Sequence, residues 1–137
     1  MSMSMEDRVN KHLERLQEIS EEIKDINRAI VEANLDDSPI LLMQHLRELT
    51  SYLARVDMLY AETEMILSYA RAYWSETLDS KLQATRFKEI LDGKVAIEQQ
   101  IHRQVERTHK TLNTTINALI TQISYLKEEM RLAGRGD

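Results

Sequence analysis

PILLMQHLRELTSYLARVDMLYAETEMILSYARAYWSET, residues 39–77, decides the fold. Within it Leu42, Leu46, Leu49, Leu53, Val56, Tyr60, Thr63, Leu67, Ala70, Trp74 and Thr77 recur at alternating steps of four and three. That spacing is the seam of a helix packed lengthwise on another helix. Tyr52, Leu59, Ile66 and Tyr73 repeat every seven residues on the adjoining position. A face this wide touches two or more neighbours, so the spacing predicts a bundle of at least three helices. A helix of roughly 39 residues is on the order of 58 Å long. A compact globule of this chain length has a radius of gyration of only about 14 Å. The expectation is an elongated, coiled-coil-like bundle of three long helices, with room for a short fourth, that self-associates.

Composition agrees with an all-α chain. The 137 residues, enough for one domain over 1–137, hold one proline and three glycines. Two of those glycines, Gly134 and Gly136, fall in the last residues, leaving Pro39 and Gly93 as the interior breakers. No run alternates β-branched with polar residues as a strand would. Cysteine is absent, which removes disulfides and thiolate metal sites. No apolar run approaches the ~18 residues of a membrane span. Residues 1–5 lack an apolar signal core, so a soluble protein of the (host) cytoplasm is expected.

The remaining elements follow outward from the central seam. Ser4 with Asp7 marks the start of a first helix over about residues 5–33. Val9, Leu16, Ile23 and Ile30 take one core position, and His12, Ile19, Ile26 and Ala33 the other. A short turn over 34–38 ends at Ser38-Pro39, an N-cap with proline in the first turn. The first two helices are therefore antiparallel neighbours. Beyond residue 77, Ser80 with Gln83 resembles a capping box, which predicts one long final helix over about 81–132, kinked near Gly93. A short helix ending at Gly93 is the other reading. The final seam is Val95, Glu98, His102, Val105, His109, Leu112, Ile116, Leu119, Ile123, Leu126 and Met130, and a loose tail follows from Gly134.

Three groups of residues invite functional readings. Glu98, His102 and His109 lie on the inward face. They read as a polar layer that fixes register, as half of a metal site completed in a symmetric dimer, or as an exposed end of the helix. Arg103, Arg107 and Lys110 fall on one face, with Arg86, Lys88 and Lys94 upstream. That stripe has the spacing to track phosphates. Glu89, Asp92, Glu98 and Glu106 dilute it, and Phe87 is the one aromatic nearby, so a solvated face is the plainer reading. Tyr69, Tyr73 and Trp74 cluster with Tyr60 toward one end of the second helix. Aromatics at helical spacing are usually core, but Tyr69 falls off the seam and fits a protein-partner surface. Glu18, Glu21, Glu22 and Asp25 are similar to the Glu-x-x-Glu and Glu-x-x-Asp magnesium steps of helical nucleotide pyrophosphatases. Those enzymes set the two steps on facing helices; here both share one helix and mostly face away from the seam.

Residues 49–73, LTSYLARVDMLYAETEMILSYARAY, and 123–134, ISYLKEEMRLAG, resemble small helical proteins of tailed bacteriophages and prophages, often encoded among replication and recombination genes. The ending EEMRLAG is the more specific part. The resemblance implies a phage setting and a helical fold, and it carries no site residues.

No nucleophile triad or glycine-rich phosphate loop is present, so the expectation is a protein without enzymatic activity or cofactor. It is read as a homo-oligomeric phage-type adaptor or scaffold that binds an unknown protein partner. A nucleic-acid accessory acting through Arg103, Arg107 and Lys110 is the alternative; an inhibitor of a host defence protein is a third. The charge distribution weighs against DNA. Residues 1–38 carry ten acids and five bases, residues 39–78 five and three, and residues 79–137 eight and ten. An acidic first helix beside the last is expected to cancel much of the stripe's attraction for phosphate.

Overall fold

The computed structural model describes residues 3–34 and 38–135. Four helices account for nearly all of them, and no strand occurs among the described residues. They are α1 Met5–Ala33, α2 Pro39–Thr77, α3 Ala84–Lys94 and α4 Ala96–Arg135. α1 starts where Ser4, in extended conformation, accepts a 3.1 Å hydrogen bond from the Asp7 N–H. α2 starts behind Ser38 with proline in its first turn. Leu35, Asp36 and Asp37 of the expected turn lie outside the described residues.

The region after α2 departs from the expected long helix. Asp79 Oδ1 accepts from the Lys81 N–H at 2.9 Å, and the Leu82 N–H donates to the Asp79 carbonyl at 3.2 Å. This local turn takes the backbone groups a helix at Ser80 would need. The Ser80/Gln83 capping box therefore does not form: Gln83 itself is the N-cap of α3 and makes no side-chain capping bond. Nor does one helix run through to the C-terminus. The backbone leaves helical geometry at Val95, with φ −107° and ψ 17°, two residues past Gly93. Val95 still donates to the Leu91 carbonyl at 3.1 Å and accepts from the Gln99 N–H at 2.9 Å. The bend turns the Val95 side chain fully into the core, whereas α3 itself contributes no buried residue. Gly93 is ordinary helix, and a Cβ there would meet nothing within 4 Å.

The long helices share one core. Leu16, Ile19, Ile23 and Ile26 of α1 meet Leu49, Val56, Leu59 and Ile66 of α2 and Val105, Leu112 and Leu119 of α4 in a single apolar cluster. Each such burial contributes roughly 1.5–3 kcal/mol. On α2, Leu42, Leu49, Val56, Thr63 and Ala70 are all buried, and so are Leu59 and Ile66 of the adjoining column. Leu46, Leu53 and Tyr60, on the other flank, are only half-buried. The buried face of α2 is thus centred between the seam and its neighbouring column, as contact with both α1 and α4 requires.

Two ion pairs cross from α1 to α2. Arg15 grips Glu62 through both Nε (2.6 Å) and Nη2 (3.0 Å). Arg55 grips Glu22 through Nε (2.5 Å) and Nη2 (3.0 Å). The later residue of one helix meets the earlier residue of the other, so the pair is antiparallel. Hydrogen bonds from Arg55 hold the Glu22 carboxyl below its ordinary range, and those from Arg15 do the same for Glu62, each against a smaller opposing effect of burial.

Both carboxyls therefore titrate lower folded than unfolded. Their contribution is complete above the unfolded range of about 4–4.5 and is lost as pH falls through the folded values. A Glu22→Gln/Glu62→Gln variant should unfold at lower urea than the parent at pH 7. The gap between the two should close as the pH is taken below about 4.

Candidate interaction surfaces

Glu98 is buried and His102 and His109 are half-buried, and the two histidines pair across to α2 instead of converging with Glu98. His102 Nδ1 lies 2.8 Å from Thr63 Oγ1, which is also 3.1 Å from the Tyr60 carbonyl. Both contacts are hydrogen bonds when Nδ1–H donates to the hydroxyl and the hydroxyl donates to the carbonyl. The Tyr60 ring leans over His102 at 4.8 Å between centroids. Two turns along, His109 Nε2 meets Asp57 Oδ1 at 2.6 Å, with Asn113 Nδ2 at 3.4 Å from Nδ1. Glu98 is buried at 3% exposure, and its Oε2 has no hydrogen-bond partner. No group of three or more His, Asp or Glu among the described residues is placed to hold a metal ion.

Tyr69, Tyr73 and Trp74 are half-buried and face their own chain. Tyr69 stands edge-on to His12 of α1 at 5.3 Å. Trp74 packs on Tyr73 at 4.9 Å and carries Lys94 Nζ over its ring at 4.9 Å. With the Arg71–Asp92 contact at 3.3 Å, these residues dock α3 on the end of α2. Cation–π and ion-pair contacts at such half-exposed sites are each worth about 0.5–1 kcal/mol.

Arg103, Arg107 and Lys110 are all exposed. Lys110 pairs with Glu106 at 3.4 Å; Arg103 and Arg107 make no ion pair among the described residues. Arg107 shares a groove between α1 and α4 with Lys24, Asn27 and Gln104. Four of the eight acids of α1 form ion pairs: Glu18 with Arg15, Glu22 with Arg55, Glu21 with Lys24 and Asp25 with Arg28. On α1 the groove is bordered by Lys24, itself paired with Glu21, and by Asn27.

A fourth surface was missed. The Thr63–His102 and Asp57–His109 contacts set α2 antiparallel to α4. Extended at equal rise, this register brings Pro39, the first residue of α2, level with Leu126. Residues 127–135 then project past the bundle by ~13 Å of helix. Exposure follows the register. Leu119 and Ile123 are buried, Leu126 is half-buried, and Met130 on the same seam is 66% exposed. α1 stops earlier still, since Asn27 is bonded to Thr108 at 3.1 Å and α1 ends six residues later at Ala33. At this end Ile40, Leu41 and Met43 of α2 and Ile120, Tyr125, Met130 and Leu132 of α4 are exposed. Residues 38–44 and 111–126 contain no Asp, Glu, Lys, Arg or His, in a chain that is 30% charged; Asp36 and Asp37 precede the first run, and the exposed Arg47 and Glu48 lie level with the second. That uncharged run was the available sequence signal. No helix among the described residues is long and apolar enough to cross a membrane.

Comparison with known protein families, with curated proteins and with solved structures finds no match to this chain.

The polar layer gives a direct stability test. Thr63→Val keeps the shape of a fully buried side chain and strands His102 Nδ1. It should cost about 1–3 kcal/mol in urea unfolding. Thr114→Val, on the exposed face of α4, should stay within about 0.5 kcal/mol of the parent.

Proposed function

We propose that this chain is a non-enzymatic helical adaptor or scaffold, an elongated coiled-coil-like bundle of three long helices and one short one that self-associates and binds a protein partner. The observation that carries the reading is the set of exposed apolar side chains at one end of the bundle, among them Ile40 and Leu41 of α2 and Tyr125 and Met130 of α4. Exposed apolar surface of this extent marks interaction sites, because a monomeric soluble protein rarely leaves it uncovered. The setting proposed is that of a phage, on the resemblance of residues 49–73 and 123–134. The aromatic cluster of Tyr69, Tyr73 and Trp74 has a smaller place in the partner surface than its sequence suggested, because its rings are engaged within the chain.

A second reading, as a nucleic-acid accessory, is favoured by one observation: Arg103 and Arg107 are free of ion pairs among the described residues, and Arg107 shares a groove with Lys24. The two readings separate by salt. Capture of a protein partner on the immobilised full-length chain should survive a rise from about 50 to 200 mM salt, whereas phosphate-driven binding falls by orders of magnitude over that range. The adaptor reading expects no salt-dependent DNA binding at low ionic strength. If such binding is found, Arg103→Gln/Arg107→Gln/Lys110→Gln should lower its salt slope by up to about three, at roughly 0.9 per contact on duplex DNA, and the accessory reading replaces the adaptor.

A further inference from the structure

We infer that the groove between α1 and α4 is a binding site for a short phosphate chain, the diphosphate group of a small molecule. The inference goes beyond the adaptor reading and does not depend on it. The groove has a volume of about 250 Å³ and takes Lys24 and Asn27 from α1 and Gln104 and Arg107 from α4. Its floor is the buried Ile23 and Thr108. It runs on along α4 into a second hollow that shares Gln104 and Arg107 and adds Arg103. Cations thus stand on both walls, Lys24 on one and Arg107 with Arg103 on the other. Among the described residues no carboxylate lines the first hollow. Asp92, at the far end of the second, is bonded to Arg71 at 3.3 Å. Charges of one sign lining a cleft concentrate an ion of the other sign within it.

The donors match phosphate. Arg103 and Arg107 make no ion pair among the described residues, so their planar forks are available to phosphate oxygens. The Thr108 hydroxyl donates to Asn27 Oδ1 at 3.1 Å, which leaves the Asn27 Nδ2 hydrogens for the groove. Lys24 has a 3.5 Å contact with Glu21, but both side chains are largely exposed, and such a pair gives way at little cost. Length decides between a short phosphate chain and a nucleic-acid backbone. Arg103 and Arg107 are one helical turn apart, about 6 Å. Past Arg107, Lys110 turns to Glu106 at 3.4 Å, and residues 111–126 hold no Lys or Arg. Ahead of Arg103 the next Lys or Arg in the sequence is Lys94, which lies over the Trp74 ring. The track therefore ends after three cations, Lys24, Arg103 and Arg107, where a backbone would need more phosphate contacts and an aromatic on which to stack its bases.

The test is calorimetric titration of sodium pyrophosphate into the full-length chain at about 50 mM salt without divalent cations, repeated with inorganic phosphate and with a DNA strand of ~20 nucleotides. Far-UV circular dichroism checks that each variant is folded. Pyrophosphate should bind at one site per chain, roughly 10-fold tighter than inorganic phosphate, because its second phosphate engages Arg103. Lys24→Gln and Arg107→Gln should each raise the pyrophosphate dissociation constant about 10-fold or more. Arg103→Gln should weaken pyrophosphate by a similar factor and leave inorganic phosphate within about 2-fold of the parent. Arg28→Gln, at an exposed cation of α1 outside the groove and paired with Asp25, should change neither. Pyrophosphate that fails to bind, a Lys24→Gln chain that binds it as the parent does, or an Arg28→Gln chain that loses it would each overturn the proposal. So would a DNA strand that displaces pyrophosphate at a lower concentration, which would give the groove to the nucleic-acid reading. None of these outcomes touches the adaptor reading, which fails instead if the chain captures no protein partner.

Discussion

The antiparallel register of α2 against α4 is the constraint on which the rest of the molecule depends. Two helices of 39 and 40 residues with leucine-rich seams pack almost equally well one heptad up or down. An apolar seam repeats, so it has little to say about which repeat faces which. The polar layer does. His102 has its hydrogen bond at Thr63, and His109 has its carboxylate at Asp57. A shift of seven residues would set His102 opposite Ala70 one way or Val56 the other, and Asp57 opposite Thr115 or Ile101, so the Thr63–His102 and Asp57–His109 contacts would not both survive. Polar groups inside an apolar seam commonly act this way, giving up some stability for a single register. Once the register is fixed, so is what protrudes. The C-terminal end of α2 is met by α3, held through Trp74–Lys94 and Arg71–Asp92. Its N-terminal end stops short of α4 and leaves residues 127–135 without a neighbour among the described residues.

The helical nature of the chain was legible because it depends on period alone. Val9, Leu16, Ile23 and Ile30 are buried, as are Ile19, Ile26 and Ala33. A stripe of that regularity has one helical solution. The region after α2 was harder to read because it turns on competition between neighbours. Ser80 has the composition of a cap, but Asp79 lies one residue earlier and bonds the backbone first. Gly93 has the composition of a break, but a glycine with negative φ is tolerated in a helix. The bend came instead at Val95, which the period had placed on the seam but whose break in helical geometry no local rule foretells.

Functional surfaces divided along the same line. Residue type located the polar layer, yet it did not reveal that Glu98 stands apart from the two histidines. Tyr69 and Trp74 looked available because their contacts, His12 and Lys94, are distant in sequence. The acidic first helix looked set to neutralise the basic stripe, but charge balance by segment ignores facing. Four of its carboxylates, Glu18, Glu21, Glu22 and Asp25, pair with Arg15, Lys24, Arg55 and Arg28, and the groove beside Arg107 is bordered by Lys24 and Asn27. The apolar end escaped notice because Leu119, Ile123 and Met130 read identically as seam residues. Only the register separates the covered ones from the bare one. The missing signal was negative: sixteen successive residues, 111–126, without a charge.

The register therefore decides where the bundle runs out of neighbours. Amide hydrogen exchange along α4 tests this most directly. Residues 105–119, inside the bundle, should be protected. Residues 127–134, beyond the start of α2, should exchange much faster, since an isolated helical overhang of two turns frays in water. Equal protection over 105–119 and 127–134 would contradict this register.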